Sequence, residues 1–214
     1  MKVTDMLGVA SITRTLGDDQ VHVFRLPYAR EQKRLPLLQI LSAYLGVASH
    51  EVVLVDGEFG RPALSAIHAA PLDFNWSHSD ECALVAIGRQ FTPGIDIERR
   101  RDRTRALDIA EHYFCKDELA ALNAVPADVR SSAFLELWTA KEAVLKALGR
   151  GLAFGLDRLH IVSDHGQPRL QWLDGDDARA WQIHRLDVGD GYLAAVAWRG
   201  PKRTIYSWVV EKPA

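Results

Sequence analysis

The segment at residues 138–152 constrains the fold more than any other part of the chain. It is rich in Ala, Leu, Lys and Glu, which favour an α-helix, and Gly149 and Gly151 predict where that helix ends. At about 100° per residue, one arc of roughly 140° holds a tryptophan, a leucine and three charged side chains. These residues are Trp138, Lys141, Glu142, Leu145 and Lys146.

Charged groups beside a tryptophan allow two interpretations. The arc could face the core, with Glu142 and Lys146 paired one turn apart and their charged ends reaching water. Alternatively, the carboxylate and the ammonium groups could point into a functional site. The helix alone leaves both interpretations open.

Composition narrows the class of protein. The chain has 214 residues, of which 48% are hydrophobic and 25% charged, as in ordinary globular proteins. Its net charge of -2 argues against a general nucleic-acid-binding protein. Cys82 and Cys115 form neither a Cys-x-x-Cys motif nor a disulfide framework. With no signal peptide and no membrane-spanning run evident, we expect a cytoplasmic protein that binds no membrane.

The pattern of apolar residues and turn signals predicts the order of the elements. Helices are predicted at residues 36–46, 104–114, 116–124 and 131–148. Strands are predicted at residues 21–26, 51–55, 82–87, 94–98, 159–162, 169–173, 180–186, 192–198 and 204–210. Turn signals, including Gly189-Asp190-Gly191, suggest that the last five strands form an antiparallel meander. Both halves place helices before strands, which indicates an α+β fold with a faint internal duplication.

The strand at residues 94–98 carries two acids on one face. Alternation sends its two isoleucines one way and Asp96 and Glu98 the other, with the carboxylates about 7 Å apart along the strand. Such a face could simply be exposed to solvent, or it could bind a cation. With Glu142 as a third oxygen donor, and without His or Cys nearby, the set suits Mg²⁺.

Other groups in the chain suit a phosphate. Lys141 and Lys146 could neutralise the charge of a diphosphate, which predicts a metal-assisted phosphoryl-type reaction. A further predicted strand runs into Ser77, His78 and Ser79, and its end could bind a phosphate. Because neighbours on a strand point apart, a Ser-His catalytic pair is not favoured there.

Two basic clusters have open roles. Five of the seven residues from Arg99 to Arg105 are arginines, which form either a solvated face or a docking surface for an acidic partner protein. Arg30, Lys33 and Arg34 precede the first predicted helix, where a solvated turn is the simpler interpretation.

Taken together, five segments resemble those of the 4'-phosphopantetheinyl transferases, specifically the pseudo-dimeric type that activates nonribosomal-peptide and polyketide synthetases. They are Gly-Arg-Pro at 60–62, Phe-Asn-Trp-Ser-His-Ser at 74–79, Gly-Ile-Asp-Ile-Glu at 94–98, Phe114 with Glu118, and Trp-Thr-Ala-Lys-Glu-Ala-Val-Leu-Lys followed by Gly-Arg-Gly-Leu within 138–152. The third and fifth motifs are the most specific. Arg61 departs from the family, where lysine is commoner.

The resemblance implies a fold and a reaction. It implies two similar α+β halves, residues 1–100 and 101–214, with mostly antiparallel strands, an active site in the cleft between them, and a monomeric protein. The reaction is the transfer of 4'-phosphopantetheine from coenzyme A to a serine of an apo acyl or peptidyl carrier protein, releasing 3',5'-adenosine bisphosphate. The cofactor is Mg²⁺, with Mn²⁺ as a possible substitute.

The resemblance also implies roles for individual residues. Asp96, Glu98 and Glu142 would hold the metal; Arg61, Asn75, Ser77 and His78 would bind coenzyme A; Lys141 and Lys146 would contact its diphosphate. The catalytic residues would be Asp96, Glu142 and Lys146, with Glu142 or a water held by Glu98 as the base and Lys146 assisting the leaving group.

Two other functions remain in view. A metal-dependent nuclease would also combine an acidic strand with a glutamate and lysines on a helix, but the acidic isoelectric point and the Ser-His-Ser segment argue against it. A coenzyme A or carrier-protein binding module without catalysis has little support, because every expected acid is present.

Overall fold

The computed structural model describes residues 1–189 and 191–211. Asp190, in one predicted turn, and residues 212–214, at the end of the predicted second half, lie outside the described residues. The helices are α1 (Met6–Ile12), α2 (Leu35–Leu45), α3 (Ala106–Tyr113), α4 (Lys116–Ala124) and α5 (Ala127–Leu148). The strands are β1 (Lys2–Thr4), β2 (Gln20–Pro27), β3 (Leu54–Asp56), β4 (Pro62–Leu64), β5 (Leu72–Ser79), β6 (Cys82–Arg89), β7 (Gly94–Arg99), β8 (Leu159–Asp164), β9 (Gln167–Leu173), β10 (Trp181–Leu186), β11 (Tyr192–Arg199) and β12 (Thr204–Val210).

The strands form two main sheets and two hairpins. One sheet has five strands in the order β1-β12-β2-β6-β5, and the other has three in the order β10-β11-β7. The hairpins pair β3 with β4 and β8 with β9. Pairing is antiparallel except along β12, which runs parallel to both β1 and β2. The predicted α+β class is therefore confirmed, with mixed sheets.

The sheets do not divide at residue 100. Strand β7 precedes that position but pairs with β11, and β12 leaves the C-terminal strands to lie between β1 and β2. The predicted meander of the last five strands is therefore wrong, since among β8 to β12 only β8 with β9 and β10 with β11 pair as consecutive antiparallel strands. Each half thus contributes one strand to the sheet of the other.

The two sheets pack face to face. Their shared core contains the isoleucines of β7 together with apolar residues of β2, β6 and β11, including the fully buried Trp198. Helices α1 and α2 pack on the outer face of the five-stranded sheet, and α3, α4 and α5 pack on the three-stranded sheet. None of the helices within the described ranges is both long and apolar enough to span a membrane.

Helix α5 lies directly on the start of β7. A Cβ atom placed on Gly94 would come within 2.0 Å of the Ala143 carbonyl oxygen and 2.5 Å of the Ala147 nitrogen. Only glycine allows the two backbones to approach this closely. Gly149 ends the helix in a left-handed conformation, as the sequence predicted.

Differences from the predicted elements are local. Helix α5 begins earlier than expected, at Ala127, and the short β1 and α1 were not predicted. The strand predicted at residues 51–55 is shortened to Leu54–Asp56, because residues 49–51 form a 3₁₀ turn. The Glu51 carboxylate accepts a hydrogen bond from the Ala48 N–H at 2.8 Å, which holds that turn.

Candidate active site where the two sheets meet

Strand β5 joins β7 through its side chains, at the edge where the two sheets meet. Residues two apart in β5 share one face, and on this face three of them bond to β7. The bonds are Ile95 N to Asn75 Oδ1 (2.9 Å), Ser77 Oγ to Asp96 Oδ1 (2.8 Å) and Ser79 Oγ to Glu98 Oε2 (3.4 Å). The β5 side chains thereby fix both acids of β7.

Lys146 brings the end of α5 to the same place. Its ammonium group donates hydrogen bonds to Asp96 Oδ1 at 2.7 Å, to Ser77 Oγ at 3.0 Å and to the Ile95 carbonyl oxygen at 3.2 Å. The lysine is partly exposed, whereas Asp96 is buried. The ammonium therefore stands between a buried carboxylate and solvent.

Glu142, one turn before Lys146 on α5, completes a cluster of three carboxylates. Burial, with the negative charges of Asp96 and Glu98, raises the pKa of Glu142 to about 7, while Lys146 acts in the opposite direction. Burial and the neighbouring Asp96 also raise the pKa of Glu98, against Arg103, which donates to its Oε2 at 2.9 Å. The three acids repel one another, so the cluster would be stabilised by additional positive charge.

Two carboxylate oxygens of these acids make no hydrogen bond to the described residues. They are Asp96 Oδ2 and Glu142 Oε1, and both are buried within the part of the chain that the structure describes. Within the described residues, no group of three or more His, Cys, Asp or Glu side chains is arranged so that it could hold a metal ion by itself. The donor chemistry nevertheless fits a hard divalent ion, since the oxygens are carboxylate oxygens and a buried unpaired acceptor is costly.

His78 lies between Ser77 and Ser79 in β5, and its side chain points to the opposite face of that strand. Its ring stacks on Tyr28 with 4.2 Å between centroids and an interplanar angle of 19°. Burial, followed by the positive charges of Lys146 and Arg30, lowers the pKa of His78. Lys146 and Arg30 are thus the positive groups that act on this side chain.

Comparison with known proteins identifies the family. A family model described as the 4'-phosphopantetheinyl transferase superfamily matches residues 92–197. The 4'-phosphopantetheinyl transferase HetI of Nostoc sp. is 30% identical over 220 residues, which cover 87% of this chain and 90% of the relative. The chain belongs to the 4'-phosphopantetheinyl transferase family.

Two further comparisons give another relative and a solved structure. The 4'-phosphopantetheinyl transferase Sfp of Bacillus subtilis is 32% identical to this transferase, over 67% of this chain and 62% of the relative. The crystal structure of Thermotoga maritima holo-[acyl-carrier-protein] synthase aligns with a TM-score of 0.41 and 21% identity, covering 52% of this chain and 64% of that one.

One predicted site residue of the transferase lies elsewhere. Lys141 is fully buried, and its ammonium group donates to Glu118 Oε1 at 2.6 Å, to Glu118 Oε2 at 2.5 Å and to the Leu159 carbonyl oxygen at 2.7 Å. An ammonium has three N–H donors, and all three are used. The structure therefore corrects the expectation that Lys141 contacts a diphosphate.

Arg61 and Asn75 connect elements around the site. The Arg61 guanidinium donates to the Lys146 carbonyl oxygen at 2.6 Å, to the Phe74 carbonyl oxygen at 2.6 Å and to Asp73 Oδ1 at 3.0 Å. It thus joins the end of α5 to β5. The Asn75 amide oxygen is likewise occupied by the backbone of β7. Direct contact of either residue with a ligand stays a prediction.

The arginine run is mixed in character. Arg103 pairs with Glu98, Arg99 lies 3.5 Å from Asp80, and Arg105 lies 3.6 Å from Asp108. The residues between them, including Arg100 and Arg101, are exposed. The sequence indicated a basic cluster beside the acidic strand, but not that Arg103 would bond to Glu98.

Tyr28 and Asp73 contact predicted site residues but were not themselves predicted from the sequence. Tyr28 follows β2 and carries no motif that would connect it with His78, 50 positions away. Asp73 directly precedes the Phe-Asn-Trp-Ser-His-Ser segment, and an acid near a conspicuous arginine such as Arg61 was the available signal. Both contacts depend on how β5 is placed in its sheet.

Proposed function

We propose that this transferase moves the 4'-phosphopantetheine group of coenzyme A onto a serine of an apo carrier protein, with a divalent ion held by Asp96, Glu98 and Glu142. The observation that carries the proposal is the pair of buried, unpartnered oxygens, Asp96 Oδ2 and Glu142 Oε1, in a cluster of acids. The printed functions of the relatives HetI and Sfp support the reaction type. Family membership favours this function over a nuclease or a binding module.

The bound ion, Mg²⁺ or Mn²⁺, would supply charge neutralisation for the coenzyme A diphosphate. The pseudo-dimeric arrangement of the family supports a binding cleft beside these acids, between the two halves of the chain. Ser77 and Lys146 lie at its polar wall, and His78 with Arg30 offers an electropositive position for the 3'-phosphate.

The chemical step is a substitution at phosphorus. The carrier serine oxygen bonds to the β-phosphorus of coenzyme A, the bond to the adenosine bisphosphate oxygen breaks, and 3',5'-adenosine bisphosphate leaves. We assign the serine proton to the Glu142 carboxylate, with a water held by Glu98 as the second candidate. Lys146 assists departure by donating to the leaving oxygen.

A mass-spectrometric assay tests the proposal. The full chain is incubated with coenzyme A, Mg²⁺ and an apo carrier protein, and the carrier is expected to gain the mass of phosphopantetheine. The gain should disappear with a chelator, with a carrier whose serine is replaced by alanine, and with Asp96→Asn or Glu142→Gln.

A matched control separates the acids of the cluster from surface acids. Asp164→Asn removes a half-exposed acid that pairs with Arg169, and it should leave transfer unchanged. Full transfer by Asp96→Asn would refute the metal assignment. The monomeric state and cytoplasmic location remain part of the proposal, and sedimentation of the free protein tests the first.

A further inference from the structure

Glu118 and Lys141 form a buried ion pair that lies outside the proposed active site. Their side chains are 1% and 0% exposed. Glu118 accepts from Lys141, from the Ile161 N–H at 2.8 Å and from the Cys115 N–H at 3.2 Å. Buried charges this completely paired are unusual, because desolvating each ion is costly.

The pair joins three elements at one point. Glu118 is on α4, Lys141 is on α5, and Leu159 and Ile161 are on β8, where the pair bonds to one carbonyl and one N–H. The ammonium also lies 5.0 Å from the centre of the Phe114 ring. Apolar packing alone leaves a helix some freedom to rotate, whereas hydrogen bonds to a charged group fix direction.

Glu142 is the next residue after Lys141, about 100° further around α5. Lys141 points to α4 and β8, while Glu142 faces the acids of β7. Because Glu142 Oε1 has no hydrogen-bond partner among the residues that the structure describes, its position depends on the helix that carries it. Any rotation of α5 would move this oxygen relative to Asp96.

We propose that the Glu118–Lys141 ion pair is a positioning device, which sets the rotation of α5 so that Glu142 meets Asp96 and Glu98 at the metal position. The inference rests on the proposed function, because it concerns the same metal. Groups that orient metal ligands from behind are commonly worth about 10- to 100-fold in metal affinity.

The test replaces both members of the pair at once. Glu118→Gln with Lys141→Met removes both buried charges and keeps similar volumes, so the fold should persist. Mn²⁺ binding to the full chain is measured by electron paramagnetic resonance, beside urea unfolding and the steady-state constants. We expect Mn²⁺ affinity to fall at least about 10-fold and kcat to fall, with KM for coenzyme A nearly unchanged.

A control distinguishes positioning from general loss of stability. Leu135→Ala empties part of the core under the same helix, where Leu135 is fully buried, and should lower stability while leaving Mn²⁺ affinity near that of the wild type. If the double variant does not fold, Glu118→Gln alone carries the test, because its amide oxygen can still accept up to two of the four hydrogen bonds that Glu118 accepts. Lys141→Arg in the otherwise wild-type chain keeps the buried positive charge. Its affinity for Mn²⁺ should therefore lie between those of the double variant and the wild type.

The outcomes are separable. Wild-type Mn²⁺ affinity and kcat in the folded double variant would overturn the positioning role while leaving the proposed function intact. If the wild-type chain itself binds no Mn²⁺ and Asp96→Asn still transfers the group, the metal assignment fails and the positioning inference fails with it.

Discussion

Replacing Gly94 by alanine should separate helix α5 from β7. The new Cβ would lie 2.0 Å from the Ala143 carbonyl oxygen, and ordinary contact begins at 3.4 Å, so the helix must retreat by about 1.4 Å. The Ala143 oxygen belongs to the backbone of α5, and the new Cβ would be fixed to the backbone of β7. Because neither can move easily, we expect the free energy of unfolding to fall by about 3 kcal/mol, the upper end of the usual cost of overpacking. The substitution adds no backbone strain, because Gly94 begins strand β7 and does not have a positive φ angle.

The same displacement should reduce activity more than stability alone would. Glu142 and Lys146 both belong to α5, so they would move with it. A displacement of about 1 Å in a catalytic group can lower the rate by about 100-fold. Urea unfolding measures the first effect, and carrier modification at a temperature where the variant is folded measures the second.

Gly88→Ala is the matched control for this experiment. It also adds a methyl group to a strand glycine, but the atoms it meets, at 2.4 and 2.5 Å, belong to the Phe91 ring, which can shift. We expect a smaller loss of stability and an unchanged rate. Gly94→Ala with wild-type stability and rate would refute the close packing of α5 on β7 and the reasoning built on it.

Three further predictions follow from other contacts. Lys146→Ala should lower kcat by about 100-fold with a smaller change in KM for coenzyme A; an unchanged kcat in steady-state assays would remove its catalytic role. Burial lowers the pKa of His22 to about 4, so the imidazole is neutral in the folded state and protonates first in the unfolded state. The contribution of this residue to the free energy of unfolding is complete above pH 6.5 and falls by at most about 3 kcal/mol towards pH 4. Over this range, the free energy of unfolding in urea should therefore fall more for the wild type than for His22→Gln. An equal fall in both proteins would contradict the burial. Arg100→Gln with Arg101→Gln should raise KM for an acidic carrier at low salt and less at high salt, and an unchanged KM would make the run a solvated face.

The local chemistry of the chain was readable because short motifs carry it. Two-residue alternation predicted that Asp96 and Glu98 share a face of β7, and the pairing of β7 with β11 agrees with that strand. Helical spacing predicted that Glu142 and Lys146 lie near each other on one helix. These features depend on the periods of strand and helix, which are local properties.

Lys141 shows where that reasoning failed. The same helical arc that contains Glu142 also contains Lys141, so spacing alone assigned both to one site. A helix 22 residues long packs against several neighbours, and within 100° its side chains can enter different environments. Which environment Lys141 enters was decided by Glu118, 23 positions earlier in the chain.

The sequence by itself determined the class of fold, most of the elements and the acids that we assign to the metal, because propensity, periodicity and motif act over a few residues. Only the tertiary structure decided that β7 and β12 join the sheets of the opposite halves, that Ser77 and Ser79 hold the acids of β7, and that Lys141 is buried with Glu118. Those outcomes depend on contacts between distant segments, whose energies are set when the sheets and α5 pack together.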